Sequence, residues 1–296
     1  MTARFARHLG TFLAVLALAA GTLVAAPAGA LDLGLVKVNV DAVVDGLNVG
    51  TPGSAPASAA TVTPGTPMLT GPAQCTANFV FTDGADLYLG QAAHCASTGG
   101  DATVVNGCLS ETLPLGTPVD IQGANHPGTL AYSSWLTMRQ VGETDLNTCL
   151  FNDFALVRVH PEDHDKVNPS VPFFGGPTGL NTTGTATGEL VYSYGSSMIR
   201  LGLTPLSPKV GVSLGTAGGG WTHPVYTVTP GIPGDSGSAV LDTNGDALGV
   251  LSTLMIAPVA GSNGVSDLHR ALEYLRAHTQ LDVQLVPGTA PFSPLL

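Results

Sequence analysis

Charge is scarce in this chain. Only 10% of its 296 residues are Asp, Glu, Lys or Arg, and ten basic residues face 21 acidic ones. The formal net charge of −11 excludes the basic surface that nucleic acid or an anionic membrane would need in a partner. The chain has no Cys-x-x-Cys pair and no Cys/His cluster with zinc spacing, so no cofactor or metal signature is legible. It has no repeat of fixed period. After the first thirty residues, no stretch is apolar enough to cross a bilayer.

Those first thirty residues form a distinct segment. Arg4, Arg7 and His8 make a basic start, residues 9–26 carry no charge, and Ala28-Gly29-Ala30 supplies a small-x-small cleavage pattern. Residues 1–30 are expected to be a removable export signal; the rival reading is an uncleaved anchor. Without Arg4 and Arg7 the chain keeps eight basic residues against 21 acidic ones, a net charge of −13. The mature protein is expected to be secreted, outside the cell or in its envelope, with no stable membrane association. The sequence does not fix an oligomeric state, and a monomer is the default expectation.

Gly and Pro are abundant, at 38 and 22 residues, while long charged runs are missing, which points to an all-β protein. The four cysteines are Cys75, Cys95, Cys108 and Cys149. An even count in an exported chain reads as two disulfides, with three pairings open. Residues 31–49 are mildly amphipathic and dissolve into a Pro-, Gly- and Ala-rich stretch ending at Pro72. Residues 31–72 are therefore expected to be a propeptide or linker. From Cys75 the pattern becomes short apolar strands between turn signals, near 77–82, 86–91, 117–122, 154–159, 185–192, 209–214, 222–228, 237–241 and 246–254. One helix is predicted over 267–277, capped by Ser266, with Leu268, Leu272 and Leu275 on one face. Residues 281–296 are Pro-rich and expected to be a loose tail.

Three short segments carry candidate chemistry: Gln91-Ala92-Ala93-His94-Cys95, Asn152-Asp153-Phe154-Ala155-Leu156, and Pro233-Gly234-Asp235-Ser236-Gly237-Ser238. Taken singly, each has an ordinary structural reading. In the order His, Asp, Ser they supply a hydroxyl nucleophile, a base to activate it and an acid to orient the base. Gly234 lets its own N–H and that of Ser236 point to one spot, where an oxyanion would develop. The Gly-x-Ser-x-Gly motif and Ser…Asp…His order of α/β-hydrolases are absent, since Ser238 stands two residues after Ser236.

On these segments the chain resembles the chymotrypsin-like serine proteases, in particular short secreted bacterial ones. The resemblance covers most of residues 73–278. It implies a protease domain over 73–280, built of two antiparallel six-stranded Greek-key barrels at about 73–170 and 171–265, with the active site between them and a C-terminal helix. It implies His94, Asp153 and Ser236 as the triad, the N–H groups of Gly234 and Ser236 as the oxyanion hole, and Ser252-Thr253-Leu254 as the strand that pairs with substrate backbone. Pro230 falls at the floor of the primary pocket. No acid stands there, so an apolar or small side chain is expected rather than Arg or Lys. The resemblance pairs Cys75 with Cys95, which leaves Cys108 with Cys149.

What the resemblance implies is a secreted endopeptidase acting on peptides or proteins through an acyl-enzyme, without a cofactor. The alternatives are an inactive relative that binds proteins, or a secreted structural protein. The Ile/Val-Val-Gly-Gly start of many animal members is absent, so Asp235 needs another cation if it is buried. Arg200 is the first candidate, followed by Arg139 and Lys209. Asp242-x-Asn244-x-Asp246 reads as a hairpin turn rather than a calcium loop. His126, His160, His164, His223, His269 and His278 show no ligand spacing and read as surface or structural, and Trp135 and Trp221 as packing residues.

Overall fold

The computed structural model describes residues 55–99, 106–201, 203–255 and 259–294. The expected signal, and residues 31–54 of the expected propeptide or linker, lie outside the described residues. Eight strands form the first sheet, a C-terminal edge strand and seven that come first in the chain: β1 (Pro67–Thr70), β2 (Ala73–Thr76), β3 (Val80–Thr82), β4 (Leu87–Gln91), β5 (Pro118–Ile121), β6 (Gly128–Ser133) and β7 (Ala155–Arg158). Their order is β3-β4-β7-β6-β5-β1-β2. The two ends of that order are halves of one bent stretch, since β2 pairs with β1 while β3 pairs with β4. Ala77 N donates to Thr66 O and Asn78 N to Gly90 O, so the pairing changes sides between adjacent residues. The sheet thereby curls round into six strand positions.

The second half closes fully. Strands β8 (Thr187–Tyr194), β9 (Pro208–Leu214), β10 (Thr222–Thr227), β11 (Ala239–Leu241), β12 (Ala247–Met255) and β13 (Ser262–Asp267) form a barrel in the order β10-β13-β12-β11-β8-β9. The all-β, two-barrel expectation holds.

Three apolar clusters explain why the halves stay together. Val80, Leu89, Leu130 and Val157 fill the first barrel, and Val191, Val225, Leu248 and Val265 the second. Their strand neighbours Phe81, Tyr88, Leu156, Tyr192 and Leu241 point the other way and join a third cluster that runs between the barrels. This is the period-two alternation of strands, with both faces apolar because both are covered. Two disulfides, Cys75–Cys95 and Cys108–Cys149, tie the loops of the first barrel.

Three helices are present among the described residues, where one was predicted: α1 (Ser134–Val141), α2 (Leu146–Phe151) and α3 (Leu268–His278). None is long and apolar enough to cross a membrane. The predicted C-terminal helix is there, but its cap is Asp267, whose side chain accepts from Arg270 N at 2.7 Å. Ser266 belongs to β13 instead, because the strand runs directly into the helix. Leu268, Leu272 and Leu275 are buried as their spacing predicts.

Two boundaries differ from the sequence reading. The segment before residue 73 is part of the fold: β1 pairs with both β2 and β5, and Val62 and Met68 are fully buried. Its Pro and Gly residues shape turns on the barrel surface rather than a linker. The tail is not loose either. β14 (Gln284–Leu285) adds to the edge of β3, Val283 and Val286 are buried, and Phe292 lies edge-on to Tyr192 at 5.4 Å. Prolines in this tail set an extended path along the barrels, which low hydrophobicity concealed. Deleting residues 282–296 removes the two buried valines, a loss of about 3–5 kcal/mol. A lower urea midpoint is the expected result, and an unchanged midpoint would contradict the packing described.

Candidate active site

His94 sits in a 3₁₀ turn, Ala93–Ala96, immediately after β4. The disulfide from Cys95 to Cys75 on β2 fixes this turn. Asp153 lies between α2 and β7. The stretch around it is held by Ser134, whose hydroxyl donates to Asn152 O at 2.8 Å and accepts from Phe154 N at 3.1 Å. These supports bring His94 Nδ1 to 2.7 Å from Asp153 Oδ2, while the His94 backbone N–H donates to Asp153 Oδ1 at 2.9 Å. Ser252 Oγ donates to the same Oδ2 at 2.5 Å. Ser252 reaches it because the ladder between β12 and β13 shifts register there, between Leu251 and Thr253.

Burial opposes charge on His94, but the Asp153 carboxylate and its hydrogen bond outweigh it and raise the imidazole above its ordinary value. Burial also pushes Asp153 upward. The His94 charge and the hydrogen bonds from His94 and Ser252 more than offset this, so the carboxyl titrates below its ordinary value. At neutral pH Asp153 is therefore an anion that fixes one imidazole tautomer, with the proton on Nδ1 and Nε2 turned away from it.

Ser236 stands on a tight turn between Ile232 and β11. Thr76 N donates to Ser236 O at 2.8 Å, and a side chain on Gly237 would meet Thr76 O at 2.4 Å and Ala92 N at 3.1 Å. The turn thus lies against the strand end that leads into His94. Among the described residues Ser236 Oγ makes no hydrogen bond, to His94 or to any other group. The N–H groups of Gly234 and Ser236 likewise donate to no acceptor among the described residues, and Ser236 is half-buried. Both residues are part-buried, so the two donors are open to an incoming acceptor.

The cation of Asp235 is resolved. Asp235 is fully buried, and both guanidinium nitrogens of Arg200 reach its carboxylate, Nη1 to Oδ1 at 2.5 Å and Nη2 to Oδ2. Lys209 Nζ lies 3.3 Å from Oδ2, and the N–H groups of Ser197 and Ile232 complete the shell at 3.1 and 3.0 Å. Burial and the neighbouring Arg200 charge depress Lys209, against the pull of Asp235. Arg139 is elsewhere, donating to Ser110 O. A side chain at Gly195 would stand 2.3 Å from Asp235 Oδ1, so the carboxylate occupies the space that a glycine leaves.

Sequence reasoning missed two positioning residues, Gln74 and Thr76. Gln74 Nε2 donates to Gly234 O and Ser196 O, its Oε1 accepts from Met198 N, and Thr76 Oγ1 donates to Gly234 O at 2.7 Å. Both lie on β2 of the first barrel and grip loops of the second. No motif marks them, since their role arises only when the barrels meet. Gly234 has a φ of +96°, and a side chain there would strike Gln74 Oε1 at 2.3 Å, so glycine is required.

The pocket residues are placed as follows. Pro230 borders an open cavity of about 410 Å³ lined by Ile199, Leu203, Val228 and Ile232 as well as Arg200. Ser252 turns to Asp153, Thr253 packs beside Gly264, and Leu254 is exposed. Between these walls, the buried Asn263 side chain bonds to Gly231 N and O and to Thr253 O. Beyond Leu251, β12 pairs with β13 only, so the other edge of residues 252–255 has no strand partner among the described residues. His94, Cys75 and Cys95 cluster, but both sulfurs are committed to a disulfide and offer no metal ligand. A second His–Asp pair, His223 Nε2 to Asp267 Oδ2 at 2.8 Å, is sealed in the barrel wall and joins β10 to the α3 cap. Asp242 closes the β11–β12 hairpin by accepting from Asn244 N and Asp246 N.

No known family model matches the chain, and no curated protein matches its sequence. Solved structures do. Thermobifida fusca protease A superposes with a TM-score of 0.48 at 20% identity, covering 78% of this chain and 100% of that one. Cellulomonas bogoriensis chymotrypsin gives 0.45 at 19% identity over 76% and 98%. A glutamic acid-specific serine protease that uses a histidine triad in substrate binding gives 0.47 at 20% identity over 76% and 100%. The arrangement of two barrels and a closing helix rests on this chain's own strand order.

Replacing Arg200 by Ala leaves the buried Asp235 with Lys209 as its one side-chain cation. A loss of about 3 kcal/mol in urea unfolding is expected. Unchanged stability would show that the pair does not hold the Ser236 turn.

Proposed function

We propose that this protein is a secreted serine endopeptidase in which His94, Asp153 and Ser236 act as a catalytic triad. The observation that carries the reading is the His94–Asp153 pair set beside a serine turn whose Gly234 and Ser236 N–H groups are unspent. Ser236 Oγ attacks the scissile carbonyl and passes its proton to His94 Nε2. The two N–H groups receive the oxyanion. His94 then gives the proton to the leaving amine, the peptide bond breaks, and an acyl-Ser236 ester remains. Water, deprotonated by the same imidazole, releases the acid and restores Ser236. Asp153 stays ionised throughout and holds the tautomer. The two disulfides suit an oxidising compartment, which supports secretion.

Substrate backbone would pair with the open edge of residues 252–254. No acid lines the cavity that Pro230 borders, since the nearby Asp235 is fully buried and paired with Arg200, and Asn263 crosses the gap between Gly231 and Thr253, both of which favour a small or apolar primary side chain. A peptide library is expected to return such residues; strong preference for Arg or Lys would overturn this.

Turnover of an unfolded protein substrate tests the central reading. Asp153→Asn should lower turnover by about 10⁴-fold and Ser236→Ala by about 10⁶-fold, with the urea midpoint of Ser236→Ala unchanged. No turnover by the folded parent would favour the inactive, protein-binding alternative. His94 works as a base only when neutral, and its pKa is raised, so the acid limb of kcat/KM should centre above about 6.5. A limb centred below that value would place another group in the role of base.

A further inference from the structure

A second constellation lies on the first barrel, in residues the proposed chemistry does not use. Strand β6 pairs with β7, with Thr129 opposite Arg158, so the turn before β6 lies beside the turn after β7. The first turn carries His126 and the second His160 and Glu162. Their rings and carboxylate, thirty-odd residues apart in sequence, meet only through this pairing. The His126 and His160 rings stack at 4.3 Å. His126 Nε2 stands 3.4 Å from Glu162 Oε2, and one ligand atom from each of the three residues lies within 4.8 Å of the others.

Behind them is a fully buried carboxylate, Asp163. It accepts from Asn125 N and His126 N at 3.0 and 2.8 Å, pairs with Lys166 at 2.5 Å, and lies 3.1 Å from His126 Nδ1. A carboxylate opposite Nδ1 holds the ring proton there and leaves the Nε2 lone pair facing outward, the arrangement found behind metal-bound histidines. In that tautomer Nε2 and Glu162 Oε2 confront each other as two acceptors. A cation between them satisfies both. Tetrahedral zinc, with bonds of about 2.0–2.1 Å, sets its ligands about 3.3 Å apart, close to the 3.4 Å between His126 Nε2 and Glu162 Oε2.

We propose that His126, His160 and Glu162 form a Zn²⁺ site with its fourth position open to water, oriented by Asp163. Two imidazoles and one carboxylate suit Zn²⁺ rather than Ca²⁺, which takes oxygen ligands. His160 Nδ1 accepts from Glu162 N at 3.3 Å, a long bond that ligation through this ring would replace; Glu162 is exposed and His160 half-buried, so both side chains can turn without moving the barrel. The site also has a structural consequence. The turn Pro161–Lys166 leads directly into the clamp on the N-terminal part of the fold: Ala55 N donates to Val167 O, Thr61 N and Val62 N to Lys166 O, and Asn168 N to Val62 O. A metal joining the two turns braces the point where the chain enters the first barrel.

Titration calorimetry of tag-free, EDTA-stripped protein with ZnCl₂ tests this. Saturable 1:1 binding is expected, with a rise in Tm that CaCl₂ at equal concentration does not produce. His160→Ala and Glu162→Gln should each weaken binding at least about tenfold, while His269→Ala, which alters the His269–Glu273 pair on α3, should not. Glu162 is exposed, so Glu162→Gln should keep the parent's urea midpoint in EDTA, whereas His160→Ala also removes the bond that His160 Nδ1 accepts from Glu162 N and should lower it slightly. Co²⁺ loading should give the visible bands of a tetrahedral site in the parent and not in His160→Ala. Absence of saturable binding, binding undiminished in both variants, or loss only in His269→Ala would overturn the assignment.

Discussion

A carboxylate with no exposed surface stands one residue before Ser236, and the shape of the serine turn depends on how it is neutralised. An unpaired buried carboxylate would cost several kcal/mol. Here Arg200 supplies a two-pronged partner, Lys209 a second charge, and the Ser197 and Ile232 N–H groups the remaining bonds. The partners come from three segments of the second barrel, so a single charge fixes the loop of residues 195–200, strand β9 and the approach to Ser236 together. All of these groups lie within the described fold. The turn therefore needs no new chain terminus to neutralise its aspartate.

The other constraint is the meeting of the barrels. Their strands are apolar on both faces, one turned into its own barrel and one into the shared layer of Phe81, Leu156, Tyr192 and Leu241. That layer brings β2 to the serine turn, where Gln74 and Thr76 hold the carbonyl of Gly234. The same docking delivers Ser252 from the second barrel to Asp153 in the first. The site is thus a product of the interface, and its geometry is as stiff as the packing beneath it.

Much of this was legible in the chain. His94, Asp153 and Ser236 stand in short segments whose residue types are rarely found together by chance, and the strands with β-branched or aromatic alternation, such as β3, β4 and β7, lie where they were predicted. What escaped notice did so for physical reasons. β13 reads Ser-Asn-Gly-Val-Ser-Asp, yet every residue in it is buried, because its small polar groups are paired within the barrel wall. β1 and β14 lie in Pro-rich stretches whose order comes from partners distant in sequence. α2 has six residues and a sequence indistinguishable from a loop. Arg200 was a reasonable candidate for Asp235, but only the fold could separate it from Arg139. Gln74, Thr76 and the His126 cluster become visible only once remote strands are side by side.

The central claim is that the Ser236 turn is held ready for acyl transfer by the fold itself. Reaction of the purified chain with a fluorophosphonate, read by intact mass beside Ser236→Ala, tests it most directly. One adduct on the parent and none on the variant is the predicted result, since phosphonylation requires an activated serine and donors for the developing oxyanion. A folded parent that gives no adduct, or an adduct that persists in Ser236→Ala, would contradict it.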